Sequence, residues 1–133
     1  MADVLIVDDD CDTADLLAEL LRHTGHTTRV ANDGREGLLF LNERMPDLVV
    51  LDVEMPRLTG PEMALEMFIH DHGLEDIPIV LCSGVLDLER FAKHVGTKYF
   101  LGKPYDASEL LALIDRALAE GTPPQRTHLE VRR

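Results

Sequence analysis

Five side chains carry the chemistry in this sequence: Asp8, Asp9, Asp52, Ser83 and Lys103. Each stands at or just past the end of an apolar run of strand length: "VLIV" before the aspartate pair, "LVVL" before Asp52, "IVLC" before Ser83 and "YFL" ahead of Lys103. If those runs are strands of one open sheet, their carboxyl ends meet in a single crevice, where such sheets bind ligands. Three carboxylates gathered there repel one another unless a hard cation sits among them. Magnesium suits them, because it takes a few oxygen ligands, keeps several waters and binds phosphate. A carboxylate can also act as a nucleophile and take up a phosphoryl group. Lys103 would then balance one negative charge, and the Ser83 hydroxyl could donate to a phosphoryl oxygen.

The convergence rests on the elements in between. Strand-like runs at 3–7, 26–30, 47–52, 77–83 and 97–101 alternate with helix-period segments at 13–23, 32–45, 60–73, 86–95 and 106–120. In the first helix Leu16, Leu17, Leu20 and Leu21 form one stripe, and Gly25 is a natural stop. Asn32 or Asp33 can cap the second, Pro46 ends it, and Pro61 suits the first turn of the third. The last has Asp106 as its cap, Glu109 three residues on, and an apolar face of Leu110, Leu113, Ile114, Ala117 and Leu118. Such alternation requires a parallel sheet covered on both faces, because parallel neighbours need a long crossover. "LVVL" and "PIVL" fit central strands buried on both sides, whereas the half-polar "HTTRV" fits an edge. The fold class is therefore α/β, a (βα)5 unit over residues 1–120. Residues 121–133 are Pro-interrupted and polar and read as a flexible tail.

Composition narrows the function classes. A chain of 133 residues suggests one domain with a real core, and 45% hydrophobic with 5% aromatic content suits an aliphatic interior. The formal net charge is -12; the segment from Gly121 onward holds three arginines and one glutamate, so the rest stands at -14. That balance argues against direct nucleic-acid binding, which needs a basic face. Cys11 and Cys82 are the only cysteines and form no paired motif, as reduced thiols of a cytoplasmic protein would. No apolar run approaches the ~18 residues of a membrane span, so no membrane insertion is expected.

Over roughly residues 2–120 the chain resembles the receiver domain of two-component response regulators. Four segments carry the resemblance in order: "VLIVDDD", "LVVLDVEMPRLTG", "VLCSG" and "FLGKPY". The resemblance implies a flavodoxin-like, doubly wound five-stranded parallel sheet of order 2-1-3-4-5. It implies that Asp52 accepts a phosphoryl group from the phosphohistidine of a histidine kinase or phosphotransfer protein. Asp9, Asp52 and the Glu54 main-chain carbonyl would hold Mg²⁺, with Asp8 bonding a metal-bound water. Ser83 and Lys103 would contact the phosphoryl group, and the Lys103–Pro104 peptide would be cis. Phe100 occupies the position of the family's switch aromatic. Ser83 and Phe100 would move together on phosphorylation, reshaping the face of helix four, strand five and helix five for a downstream protein or a second copy of the chain. Such a protein is not an enzyme in the usual sense, since it catalyses only its own phosphoryl transfer and dephosphorylation. Serine replaces the commoner threonine at 83, phenylalanine lacks the tyrosine hydroxyl at 100, and "GTK" at 96–98 departs from the usual Gly-Ala-x.

Other readings fit less of the chain. An EF-hand loop counted from Asp8 finds Asp10, Asp12 and Glu19 in place, but the glycine position holds Thr13 and a strand-like run precedes it. Asp10 and Asp12 fit better at the positive end of the first helix. A haloacid-dehalogenase pattern starting at Asp8 needs Thr or Val at 12, where aspartate stands. His70 and His72 are two apart near a helix end and face different ways. Two function classes compete with the phospho-switch: a degenerate receiver that binds proteins without phosphate, and a Mg²⁺-dependent phosphatase. Glu54 and Val85 flank the phosphorylation site where the family tunes access of water, so Glu54→Asn should change the lifetime of the phosphoryl group. Identical dephosphorylation time courses for this variant and the wild type would remove that role.

Overall fold

The computed structural model describes residues 1–69 and 73–125, so His70, His72 and residues 126–133 of the expected tail lie outside the described residues. The described residues form strands β1 (Asp3–Val7), β2 (Thr27–Ala31), β3 (Leu48–Leu51), β4 (Ile79–Ser83) and β5 (Tyr99–Gly102). Helices α1 (Cys11–His23), α2 (Gly34–Glu43), α3 (Gly60–Ile69), α4 (Leu88–Val95) and α5 (Ala107–Glu120) connect and follow them, with a short 3₁₀ turn at Leu74–Asp76. The strands pair in parallel in the order β2-β1-β3-β4-β5. This is the flavodoxin-like α/β sheet, in the strand order that the family resemblance implied.

Alternation along the strands builds two cores. Leu5, Val7, Val49, Leu51, Ile79 and Leu81 face α2, α3 and α4. Val4, Ile6, Leu48, Val50, Val80 and Cys82 face α1 and α5. All residues of β3 and β4 are buried, as strands covered on both sides must be, whereas β2 at the edge is buried only at Ala31. The register then fixes the crevice. Val7 pairs with Leu51, so Asp8 and Asp52 leave neighbouring strands side by side. Ser83 pairs with Gly102, so Lys103 follows immediately beyond.

Several boundaries and faces differ from the sequence expectation, each because of an identifiable contact. α1 starts at Cys11 because Asp10 is its cap, accepting from the Thr13 N–H at 3.3 Å and from its hydroxyl at 2.7 Å. Its buried stripe is Ala14, Leu17, Ala18 and Leu21; Leu16 is 63% exposed. α2 stops at Glu43, since Arg44 is extended and its guanidinium reaches Asp3 at 2.8 Å. Arg29 supports this corner, donating to the carbonyls of Phe40 and Arg44 at 2.8 Å each. β5 starts at Tyr99 because the Thr97 hydroxyl is tied to the Ile79 carbonyl and accepts the Tyr99 N–H, leaving 97–98 in the turn. At α5 the expected cap forms, with Glu109 accepting the Asp106 N–H at 3.2 Å. Residues 121–125 pack back on the molecule: Pro124 is buried, and the Gln125 N–H donates to Gly96 at 2.7 Å. Both cysteines are free thiols, Cys11 exposed and Cys82 buried. Among the described residues no helix is long and apolar enough to cross a membrane.

Glu120 ties α5 to β5, accepting from the Tyr99 hydroxyl at 2.6 Å and pairing with Lys98 at 3.1 Å and Arg116 at 3.3 Å. The Tyr99 bond, then Lys98, pulls its carboxyl down to about 2. A carboxylate depressed in the fold contributes stability above its ordinary value of 4.5 and loses it as the pH falls to about 2. Glu120→Gln should therefore unfold more easily than wild type at pH 7, with the gap closing between pH 4.5 and about 2. A gap that persists unchanged at low pH contradicts this assignment.

Candidate functional site

The crevice is built by residues that step off the sheet. Asp8 and Asp52 each lie one position past a strand whose ladder continues into them: the Asp8 N–H donates to Ala31 at 3.1 Å and the Asp52 N–H to Val7 at 3.0 Å. On β5's side the Lys103 N–H donates to Ser83 at 2.9 Å. α3 begins hard against this end. A Cβ on Gly60 would overlap the Asp52 carbonyl oxygen, and the Gly60 N–H donates to Val53 at 2.9 Å. A reciprocal cap fixes that start: Thr59 N–H to Glu62 at 2.9 Å and Glu62 N–H to the Thr59 hydroxyl at 3.3 Å. The Thr-x-x-Glu spacing signals this cap in the sequence.

All five predicted side chains meet. Asp8, Asp9 and Asp52 each offer an oxygen within 4.8 Å of the others. Lys103 Nζ lies 2.7 Å from Asp8 and 3.7 Å from Asp52. The second Asp8 oxygen accepts the Asp10 N–H at 2.9 Å, and Asp52 accepts the Val53 N–H at 2.7 Å. Asp8 and Asp52 are each 7% exposed and Ser83 is 2% exposed, whereas Asp9 opens to solvent. Burial is the largest influence on Asp52 and pushes its carboxyl up. The nearby Asp8 charge adds to this, while a hydrogen bond from Ser83 and the Lys103 charge only partly oppose it. Burial also works against the Lys103 ammonium, but the Asp8 hydrogen bond and the two carboxylate charges outweigh it and raise its pKa.

These groups fit a hard divalent cation. The donors are oxygens only, they converge from separate elements, and two of them are buried with one ammonium shared between them. Glu54, two residues past Asp52, has an exposed side chain. The Lys103–Pro104 peptide is cis, as the resemblance implied. Phe100 is half-buried, pairs with Leu81 across the sheet and packs on the α2–α4 core.

Two features of this end escaped the sequence. Leu16, Leu17 and Leu20 of α1 line an apolar groove of about 480 Å³ with Lys103, Pro104, Tyr105 and Leu110. Arg57, in the turn after β3, pairs with Asp33 at 2.7 Å. The groove could have been signalled by α1 having more leucines than one buried face needs; no local pattern marks Arg57.

A doubly wound parallel sheet with an acidic crevice at its strand ends is the arrangement of the receiver class of fold. Residues 4–115 match the family of response regulator receiver domains, and the chain belongs to that family, part of two-component signalling. It is 36% identical over 126 residues to Protein Rrf1 of Nitratidesulfovibrio vulgaris, covering 92% of this chain and 88% of Rrf1. It is 38% identical to Response regulator MprA of Mycolicibacterium vanbaalenii, covering 91% of this chain but only 52% of MprA. Among solved structures it superposes on the receiver domain of NtrX from Brucella abortus with TM-score 0.78 at 35% identity, covering 88% of this chain and 98% of that one. A CheY-like receiver from Methanospirillum hungatei matches with TM-score 0.81 at 25% identity, covering 91% and 96%. The family is not one of enzymes acting on external substrates.

A carboxyl whose pKa is raised by folding contributes stability below its ordinary value of 3.8 and loses it as the pH rises through the folded pKa. Asp52→Asn should therefore melt a few degrees above wild type at pH 7 without divalent metal, on the order of 2–5 °C. The difference should shrink on acidification. A lower melting temperature for the variant would show that the Asp52 charge is not strained in the fold.

Proposed function

We propose that this protein is a phospho-accepting switch whose receiver spans residues 1–120. In this reading Asp52 takes a phosphoryl group from the phosphohistidine of a histidine kinase or phosphotransfer protein. An Asp52 carboxylate oxygen bonds phosphorus as the P–N bond breaks, and the electron pair of that bond leaves with the imidazole. The single observation that supports it best is the meeting of Asp8, Asp9, Asp52 and Lys103, drawn from three separate strand ends.

Asp9, Asp52 and the Glu54 main-chain carbonyl would hold Mg²⁺, with Asp8 bonding a metal-bound water. The ion would supply the positive charge that lets a carboxylate and a phosphoryl group approach. Lys103, bonded to Asp8 in the unphosphorylated protein, turns to a phosphoryl oxygen once one is present. The Ser83 hydroxyl donates to another, which draws it away from its present neighbours. Phe100 then turns toward the space Ser83 leaves, and α4, β5 and α5 present an altered face to a downstream protein or to a second copy of the chain. With phenylalanine in place of tyrosine, this step depends on packing alone.

Labelling with a small phosphodonor and Mg²⁺ tests the reading. One labile phosphate per wild-type chain and none on Asp52→Asn is the expected result. No uptake by either protein would favour a binding module independent of phosphate, and many turnovers of donor per chain would favour a phosphatase.

A further inference from the structure

Arg57 and Asp87 are the non-glycine residues of positive φ among those described, and Arg57 has φ 67°. The Leu58 N–H donates to the Pro56 carbonyl at 2.7 Å, closing a three-residue turn around it. A γ-turn with positive φ at its centre is rare and strained. Arginine has no local reason to adopt it, unlike glycine or asparagine. The restraint comes from outside the turn. Arg57 Nε bonds one oxygen of Asp33 at 2.7 Å, while the other oxygen of Asp33 caps α2 by accepting the Glu36 N–H at 2.8 Å. The Asp33 side chain is only 10% exposed. A Cβ on Gly34 would run into the Leu58 carbonyl, so the turn lies directly on the N-terminus of α2.

The segment between Asp52 and α3 is thus closed where Gly60 meets Asp52 and held in its middle by the ion pair of Arg57 to Asp33. Glu54 lies between Asp52 and Arg57.

We propose that Asp33 and Arg57 are positioning residues for the cation site, their ion pair clamping the turn so that the Glu54 carbonyl stays available to the ion beside Asp52. This rests on the phospho-switch reading, in which that carbonyl is a ligand. The sign of one substitution separates a clamp from bulk electrostatics. Arg57→Gly removes a positive charge, so Coulomb attraction alone would tighten binding of a cation. It also accepts the left-handed backbone without strain. Loss of a clamp predicts weaker binding instead.

The test is calorimetric titration of MgCl2 into wild type, Arg57→Gly, Asp33→Asn, the double variant and Asp52→Asn, with melting temperatures measured alongside. Asparagine caps a helix as well as aspartate, so Asp33→Asn should keep α2 intact. Each single variant should bind Mg²⁺ about tenfold more weakly, as loss of an outer support of a metal site typically does. The double variant should be no weaker than either single one, because both remove the same contact. Wild-type or tighter affinity in Arg57→Gly, or additive losses in the double variant, overturns the clamp alone, provided that Asp52→Asn abolishes binding. Absence of Mg²⁺ binding by the wild type, or affinity untouched by Asp52→Asn, overturns the cation site and the clamp with it.

Discussion

Two carboxylates, Asp8 and Asp52, are held almost out of contact with water on adjacent strands, and the ammonium of Lys103 reaches both. Charges in such a place interact far more strongly than in water, so they cannot simply be left side by side. The fold resolves the conflict only in part. Asp52 remains disfavoured as an anion, while Lys103 is reinforced as a cation. The arrangement is therefore short of positive charge, which a divalent cation among the three carboxylates would supply. The rest of the molecule positions that imbalance: parallel strands in register bring the aspartates together, and the two helical layers keep water from screening them.

The two layers contribute differently. On the α1–α5 side, small residues (Ala14, Ala18 and Ala117) sit in the core among Leu17, Leu21, Leu110 and Ile114. On the α2–α4 side Met63 and Met67 pack with Leu41, Leu88 and Val95, and Phe100 joins them from β5 only half-buried. Methionine adapts to irregular space, so this second layer can accommodate a rotated aromatic more readily than a layer of branched side chains. The side on which Phe100 would move is thus the side with the softer filling.

Much of this was readable in the chain. Apolar runs ending in Asp8, Asp52 and Ser83 identify the strand ends, and the parallel topology follows from the alternation with helices. The strand order does not follow from it; it came with the family resemblance. Helical period likewise finds α1 without fixing its rotation. Leu16, Leu17, Leu20 and Leu21 straddle two faces, and alanines at 14 and 18 lie against the sheet, leaving Leu16 exposed. The Arg57–Asp33 pair joins residues 24 positions apart through a backbone conformation that no propensity assigns to arginine. The packing of 121–125 is likewise a tertiary event, since prolines and polar residues give no local signal that Gln125 will bond Gly96.

The most direct measurement of the account is paramagnetic broadening of backbone amide signals by substoichiometric Mn²⁺, a stand-in for Mg²⁺ with the same preference for oxygen. Selective loss of signal around Asp8–Asp10, Asp52–Glu54, Ser83–Val85 and Lys103, reversed by excess Mg²⁺, is the predicted result. Broadening spread evenly over the acidic surface, or centred on Asp12, Asp15 and Glu19 of α1, would contradict a cation site at the strand ends.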